Sequence, residues 1–472
     1  MGRPVSGGLP RATVLIPLIV ASALFMENLD ATVITTALPA IARSLNEDPL
    51  RLSLAVTAYL LSLAVFIPLS GWVADRYGAR RVFRSAIVVF TCGSMLCGMA
   101  LDMPELVAAR IVQGIGGAMM VPVGRLVLLR NVPKSELVTA ISYLTVPALL
   151  APLIGAPLGG LIATYASWRW IFYINLPIGM LGYWLVSRYI AEVREAEPRQ
   201  LDLRGWGLLG AGLAGLVFGF ETLGKAVLPP VLVAGLLGAG ALLVGAYVLY
   251  SRGRAHAILD LSLLRIPTFA VVISAGSLFR IGIGASSLLM PLLFQLGFGL
   301  TPFSSGVLTL SGTIGAILMK LLAQPIVRRF GFRPLLIVNS LIGGGFLLAF
   351  GLLQPQSPHA LIVTLMLGIG FFSSLQFTCL NAIAYADISE SRMSQATSFS
   401  STAQQLSLSV GVGLAAQLLH LRLLLRHQLT LLPPDFTWTF GVLAAITALS
   451  ALLYLRLAPN AGGSVSGRQA AG

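Results

Sequence analysis

The sequence predicts an all-α polytopic membrane protein with fourteen membrane-spanning helices. Hydrophobic residues make up 56% of the 472 positions and charged residues only 10%, against about 25% charged in an ordinary soluble domain. So few charges cannot clothe a water-soluble surface. Apolar stretches long enough to cross a hydrocarbon layer, about 20 residues as a helix, recur along the whole chain.

The first stretch, Ala12 to Pro39, follows Arg3 and Arg11 as a signal peptide would. It is longer than the roughly 7 to 15 apolar residues of a signal core and carries Glu27 and Asp30 in its middle, so it is expected to be a retained span. The next six run from Leu50 to Ala74, Val82 to Leu101, Pro104 to Leu129, Leu137 to Tyr165, Trp168 to Ile190 and Gly205 to Leu223. The remaining seven run from Leu228 to Tyr250, Ile266 to Leu296, Pro302 to Val327, Pro334 to Leu353, Pro358 to Ala386, Met393 to Leu421 and Phe436 to Leu457.

Charge placement tests this division, because Lys and Arg collect in cytoplasmic connections. With a cytoplasmic N-terminus, 22 of the 31 basic residues fall on that side and 6 on the other, while Arg110, Arg280 and Lys320 lie within spans. A wrong helix count would have flipped later connections and erased the asymmetry. The reading is therefore a multi-pass protein of the cytoplasmic membrane with both termini cytoplasmic.

The net charge of +14 reads as topology signals and lipid-headgroup contacts, not as a nucleic-acid surface. Cys92, Cys97 and Cys379 all lie in apolar segments, which argues against a disulfide framework. The four histidines show no metal-ligand spacing, and neither a metal nor a cofactor is expected. No connection is long enough for a catalytic or sensory domain. The function is sited among the helices, and the chain is not read as an enzyme.

After the second span comes Gly71-Trp-Val-Ala-Asp75-Arg76-Tyr-Gly78-Ala-Arg80-Arg81. An acid at a helix end can meet the positive N-terminal end of another helix, or an Arg, in one conformation only. A basic loop that merely sets topology would look similar. Within the spans, Glu27 and Asp30 are three apart and share a helix face. At about 1.5 Å per residue, Asp30 lies about 14 Å from Pro39 and Arg110 about 9 Å from Pro104, so the two can pair. Such a pair either sets helix packing or couples protons and substrate. Lys320 either snorkels or serves a site, and Gln113, Gln295, Gln376, Asn381, Gln404 and Gln405 are candidates to line a cavity or to join helices.

The loop from Gly71 to Arg81 resembles the signature loop of the major facilitator superfamily, G-x-x-x-D-R-x-G-R-R/K. Further segments resemble motifs of its fourteen-helix drug:proton antiporters, the EmrB/QacA type. In the first span Leu29-Asp30-Ala-Thr32-Val-Ile-Thr35-Thr-Ala-Leu-Pro39 is similar to L-D-x-T-I-V-N-x-A-L-P, and Arg110-Ile-Val-Gln113-Gly114 is similar to R-x-x-Q-G. Gly155-Ala156-Pro157-Leu-Gly159-Gly160 resembles the antiporter motif G-P-x-L-G-G, and Trp168-Arg169-Trp170-Ile-Phe-Tyr-Ile-Asn175-Leu-Pro177-Ile-Gly179 resembles W-R-W-I-F-x-I-N-x-P-I-G. Two positions depart: Ala79 stands where a base is common, and Ala156 where the antiporter motif has its Pro.

The resemblance implies a major facilitator fold of two six-helix bundles, residues 1–190 and 251–458, joined by a cytoplasmic linker, 191–204, and two inserted helices, 205–250. Residues 459–472, rich in Gly, Ser and Ala, are expected to be a disordered tail. It further implies gating by Gly71, Asp75, Arg76, Gly78 and Arg80, and an antiporter element at Gly155, Pro157, Gly159 and Gly160. Proton coupling or substrate contact would fall to Glu27, Asp30, Arg110, Gln113 and Arg280.

Asp75-Arg76-Tyr77-Gly78-Ala79-Arg80 aligns with Arg328-Arg329-Phe330-Gly331-Phe332-Arg333 at an offset of 253, 328 minus 75. The same offset carries Glu27 onto Arg280, so a pseudo-twofold axis should make these two face each other. The expected activity is proton-driven efflux of small organic compounds, drugs among them, by a monomer whose partners are substrate, protons and the lipid bilayer. Whether a periplasmic adaptor joins it is open at this stage. So are two other readings: a carrier of one metabolite, such as an organic anion or metal chelate, and a transport-dead receptor.

Overall fold

The computed structural model describes residues 11–47, 49–192, 200–223, 228–254, 257–300, 302–427 and 431–466. Half of the expected linker, 193–199, the interval holding Lys225, and positions 467–472 of the expected tail lie outside these. Among the described residues, fourteen helices are long and apolar enough to cross a bilayer, and they are numbered in chain order.

Helix α1 spans Arg11–Leu45. Helix α2 runs over Pro49–Phe66, tightens into a 3-10 turn at Ile67–Leu69 and resumes at Ser70–Tyr77. The cause is Pro68, which has no N–H to continue the ladder. Then follow α3 (Ala79–Met99), α4 (Met103–Asn131), α5 (Leu137–Tyr165) and α6 (Asn175–Tyr189). Asp102 caps α4, accepting a bond from the Glu105 backbone N–H at 2.8 Å.

The middle pair is α7 (Leu203–Thr222) and α8 (Pro230–Ser251). The last six are α9 (Pro267–Leu292), α10 (Pro302–Phe330), α11 (Phe332–Gly351), α12 (His359–Ile383), α13 (Met393–Arg426) and α14 (Pro433–Tyr454).

The packing repeats with a shift of eight helices. In the first six, α1 packs on α5, α2 on α4, and α3 on α4 and α6; in the last six, α9 packs on α13, α10 on α12, and α11 on α12 and α14. The loops after α2 and α10 match in backbone as well, since Gly78 and Gly331 hold φ of 92° and 76°. A side chain at either would be strained. The inserted α7 packs on α8 and bridges the two sets, touching α2 and α13. Its Trp206 indole donates to the Val65 carbonyl at 2.9 Å, where the 3-10 turn nearby leaves that group accessible.

Among lipid tails, helices approach through small residues rather than through hydrophobic exclusion of water. The crossing of α10 and α12 is the tightest example. A Cβ added at Gly370 would fall 1.9 Å from the Gly312 carbonyl oxygen, and one at Gly315 would fall 2.0 Å from that of Leu367. Gly370→Ala should therefore destabilise the protein by about 1–3 kcal/mol. Thermal unfolding in detergent will show it as a lowered midpoint beside Gly345→Ala, whose added Cβ meets nothing within 4 Å.

The expected disorder from residue 459 needs correction. Residues 459–466 fold back in turns and a short helix, Gly463–Ser466. Val465 is buried, and Gly462 packs so closely on Phe332 that a Cβ there would come within 2.6 Å of the ring. Small residues let this segment lie flat against the bundle, and one apolar side chain anchors it.

Candidate functional site

The central feature is a buried polar network on α1, α3, α4 and α6. Asp30, Arg110, Gln113 and Asn175 are each no more than 3% exposed. Arg110 Nη1 donates to Asp30 Oδ2 at 2.6 Å and to Gln113 Oε1 at 2.7 Å. Gln113 Nε2 and Asn175 Nδ2 both donate to Asp30 Oδ1, at 2.9 and 3.1 Å. Asn175 also donates to Ser94 Oγ at 2.9 Å, whose hydroxyl donates to the Phe172 carbonyl at 2.9 Å. One carboxylate thus receives three donors from two helices, the arrangement that makes a buried ion pair tolerable.

The i, i+3 spacing of Arg110 and Gln113 puts both on the face of α4 that meets α1. Gly114 follows because α2 must come close: a Cβ there would lie 2.5 Å from the Ser62 side chain and 2.9 Å from the Tyr59 carbonyl oxygen. That approach slides the Tyr59 ring under Arg110, whose Cζ stands 4.5 Å from the ring centroid. The Tyr59 hydroxyl then donates to Glu27 Oε1 at 3.1 Å. Glu27 is consequently tied to the network through an aromatic ring, while its Oε2 is buried without a hydrogen-bond partner.

The antiporter-like segment lies on α5, against α1. At Gly155 an added Cβ would come within 3.0 Å of the Thr32 side chain and 3.3 Å of Leu29, the neighbour of Asp30. Gly159 is buried, Gly160 half-buried and Pro157 exposed. Residues Asn28 and Ala31, on the same stretch of α1 as the acids, are exposed.

At the arginine-rich ends of the helices, the first and last six are locked together. Asp75 is buried and accepts a bond from Ser394 Oγ at 2.5 Å, in the first turn of α13. Its other oxygen accepts from Arg130 Nη2 at 3.3 Å. Gly71 backs onto the same turn, where a Cβ would fall 2.7 Å from the Ser394 carbonyl oxygen. Ser398 donates to the carbonyls of Ile67 and Pro68, at the 3-10 turn, at 2.9 and 3.0 Å. Lys134 donates to the Ala386 carbonyl at 2.7 Å and Arg125 to the Tyr385 hydroxyl at 3.4 Å. Arg80 binds the Ser187 carbonyl within the first six helices, and Arg76 is exposed.

Toward the opposite end, a cavity of about 780 Å³ lies between α2, α4 and the inserted α7, lined by Leu54, Ala58, Leu61, Val107, Ile111 and Phe218 among others.

Arg280 does not meet Glu27. It lies on α9, 1% exposed, with its Cζ 5.9 Å from the Phe377 ring on α12, whereas Glu27 is turned to Tyr59. The offset that paired them was fixed on loops some fifty residues from either. A slip of one residue turns a helical side chain by about 100°, enough to point each into its own set of helices. Lys320 does not snorkel either: 7% exposed, its Nζ donates to Thr378 Oγ1 at 2.6 Å inside the bundle. Gln376 joins helices, accepting from Asn339 and donating to Ser340, both at 3.1 Å.

Sequence reasoning assigned no part to Tyr59 or Ser94, and it quoted Asn175 without a role. A tyrosine in an apolar span gives no signal of its own. The lone amide in the otherwise apolar run after Trp170 did, because a buried amide needs partners.

A sequence profile described as Major Facilitator Superfamily matches residues 20–412 and 272–471. The chain belongs to the major facilitator superfamily. Relatives of this facilitator are similar along nearly their whole length. One from Cronobacter sakazakii, provisionally named multidrug resistance protein MdtD, is 37% identical, with 93% of both chains covered. One of the same provisional name from Yersinia enterocolitica is 36% identical, covering 94% of this chain and 95% of that one. Among solved structures, the human organic anion transporter MFSD10 superposes with a TM-score of 0.68 at 15% identity, over 94% of this facilitator and all of the other chain. The proton:xylose symporter XylE superposes at 0.66 and 17% identity, over 95% and 97%. At such identities the structures speak for the fold alone.

Proposed function

We propose that this facilitator is a proton-coupled antiporter that expels small organic compounds, drugs among them, across the cytoplasmic membrane. The two six-helix sets rock about a midplane site, with the arginine-rich ends facing the cytoplasm. The observation that carries the reading is the buried Asp30–Arg110–Gln113–Asn175 cluster, with Glu27 Oε2 left unpartnered beside it. The names of the relatives support efflux of drugs.

An ionisable group at such depth is costly and marks a functional site by default. Glu27 is the proton's entry, since it has an oxygen to spare; Asp30 is the coupled partner, because a proton there would loosen its hold on Arg110. The closed gate at Asp75 matches a conformation sealed toward the cytoplasm, and the apolar cavity beside α7 lies on the release side. Protonation and substrate binding each favour one of the two arrangements, which is all that coupling requires.

Asp30→Asn keeps an oxygen for Arg110 but cannot cycle a proton. In proteoliposomes its flux should no longer respond to an imposed pH gradient, while substrate binding weakens by less than about threefold, the cost of a neutral hydrogen bond rather than a charged one. Lost binding together with gradient-dependent residual flux would make Asp30 a substrate ligand instead.

A further inference from the structure

The two halves differ in buried charge. In the first, Arg110 is neutralised by Asp30 and Glu27 is a second acid. In the second, helices α9 to α13 contain no Asp or Glu at all, and Asp435 in the first turn of α14 is occupied by Arg422 and Arg426 at 3.5 and 2.9 Å. Yet this half buries two basic side chains, Arg280 and Lys320. Counted from the arginine-rich end, Arg280 is about 20 Å along α9 from Pro267 and Lys320 about 15 Å along α10 from Phe330. Both are thus near the middle of a hydrocarbon core about 30 Å thick.

The two meet neighbouring residues of α12. Arg280 stands over Phe377, and Lys320 is bonded to the adjacent Thr378. Arg280 Nε and Nη1 are buried with no hydrogen-bond partner, and a Cβ at Gly276 would come within 3.0 Å of Nη1, so the glycine is what gives the guanidinium its room. A guanidinium stays charged in proteins, and an aromatic ring does not replace its counter-ion in a buried site. Arg280 also lies within electrostatic reach of Tyr454 and of both Arg125 and Tyr385, which are bonded to each other across the cytoplasmic gate. Opening that gate brings the cytoplasm toward it.

We propose that Arg280 and Lys320 form an anion-binding subsite, which takes the carboxylate or sulfonate of an amphiphilic aromatic substrate loaded from the cytoplasm. The proposal rests on the efflux reading and names the substrate class. The planar fork of Arg280 receives the anion's two oxygens, Lys320 adds a point charge, and Phe377 offers a face for an aromatic body. Substrate supplies the counter-ion the chain lacks, and so favours the conformation in which the site is filled.

The test measures direct binding of carboxyfluorescein, with ethidium as a cationic control, to the full-length protein in lipid nanodiscs. Wild type is expected to bind the anion, and Arg280→Gln and Lys320→Gln each to weaken it at least about tenfold relative to ethidium, as loss of a buried charged partner does. Arg280→Lys should recover part of the loss. If the Gln variants fail to fold, Thr378→Asp decides: a carboxylate built in beside Lys320 should raise the unfolding temperature and lower anion affinity by a similar factor. No anion binding by wild type, or unchanged affinity in Thr378→Asp, would overturn the subsite. Anion binding without gradient-driven movement of either dye in proteoliposomes would uphold the subsite and defeat the antiport reading.

Discussion

Arg110→Ala is expected to be the most destabilising single change in the protein. It strands Asp30 at 3% exposure without its cation and removes the donors to Gln113 and to the Ala55 carbonyl, the latter at 3.4 Å. It also leaves the Tyr59 ring uncovered. Breaking one partner of a buried pair costs about 3–5 kcal/mol, and little of that is recovered by water among lipid-packed helices. Thermal unfolding of the purified protein should show a large drop, accompanied by loss of transport. Adding Asp30→Asn to Arg110→Ala should restore part of the stability, because no unpaired charge then stays inside. Equal midpoints for the single and double variants would mean that the pair carries no coupling energy and that the loss is one of packing.

Asp75→Asn should have the largest effect on transport among the gate variants while leaving the fold intact. The carboxylate joins the start of α13 through Ser394 and the end of α4 through Arg130. Hydrogen bonds to a charged group contribute about 1.5–3 kcal/mol, so under the proposed gating role their loss is expected to shift the gate equilibrium roughly ten- to a hundredfold toward the state open at this end. Spin labels at the exposed positions Arg81 and Arg328, one on each side of the gate, should report a longer separation in the variant. Wild-type transport with an unchanged distance would remove Asp75 from gating.

Much of this architecture is written in the sequence at low resolution. Apolar runs of bilayer length locate the helices because a chain in lipid can satisfy its backbone only internally. Leu137 to Tyr165 was marked at both ends by the polar residues around it, and the observed helix has those bounds. By contrast α1 runs on from Pro39 to Leu45, since a proline in a long helix bounded by apolar neighbours need not end it. Nor does hydropathy see the 3-10 turn at Ile67–Leu69, although carbonyls in and beside it anchor both Ser398 and, at Val65, Trp206.

The candidate site was legible where charge sits at depth. Glu27, Asp30, Arg110 and Gln113 stood out by type and by spacing of three. Tyr59 and Ser94 did not, because their part depends on which face of α2 and α3 meets α4, a matter of helix rotation set by Gly93 and Gly114. At Gly93 a Cβ would fall 2.6 Å from the Gln113 backbone nitrogen. The facing of Glu27 and Arg280 was misjudged for the same reason: linear offsets carry along a chain, but rotation about a helix axis is decided by packing.

The measurement that bears most directly on the central claim is proton release on substrate binding. Purified wild-type protein, in weakly buffered detergent solution with a pH indicator, should release protons when a saturating transported dye is added. Glu27→Gln and Asp30→Asn, under the same dye occupancy, should each release markedly fewer. Equal release from wild type and both variants would show that the exchanged proton resides elsewhere, and would contradict the assignment of coupling to the acids of α1.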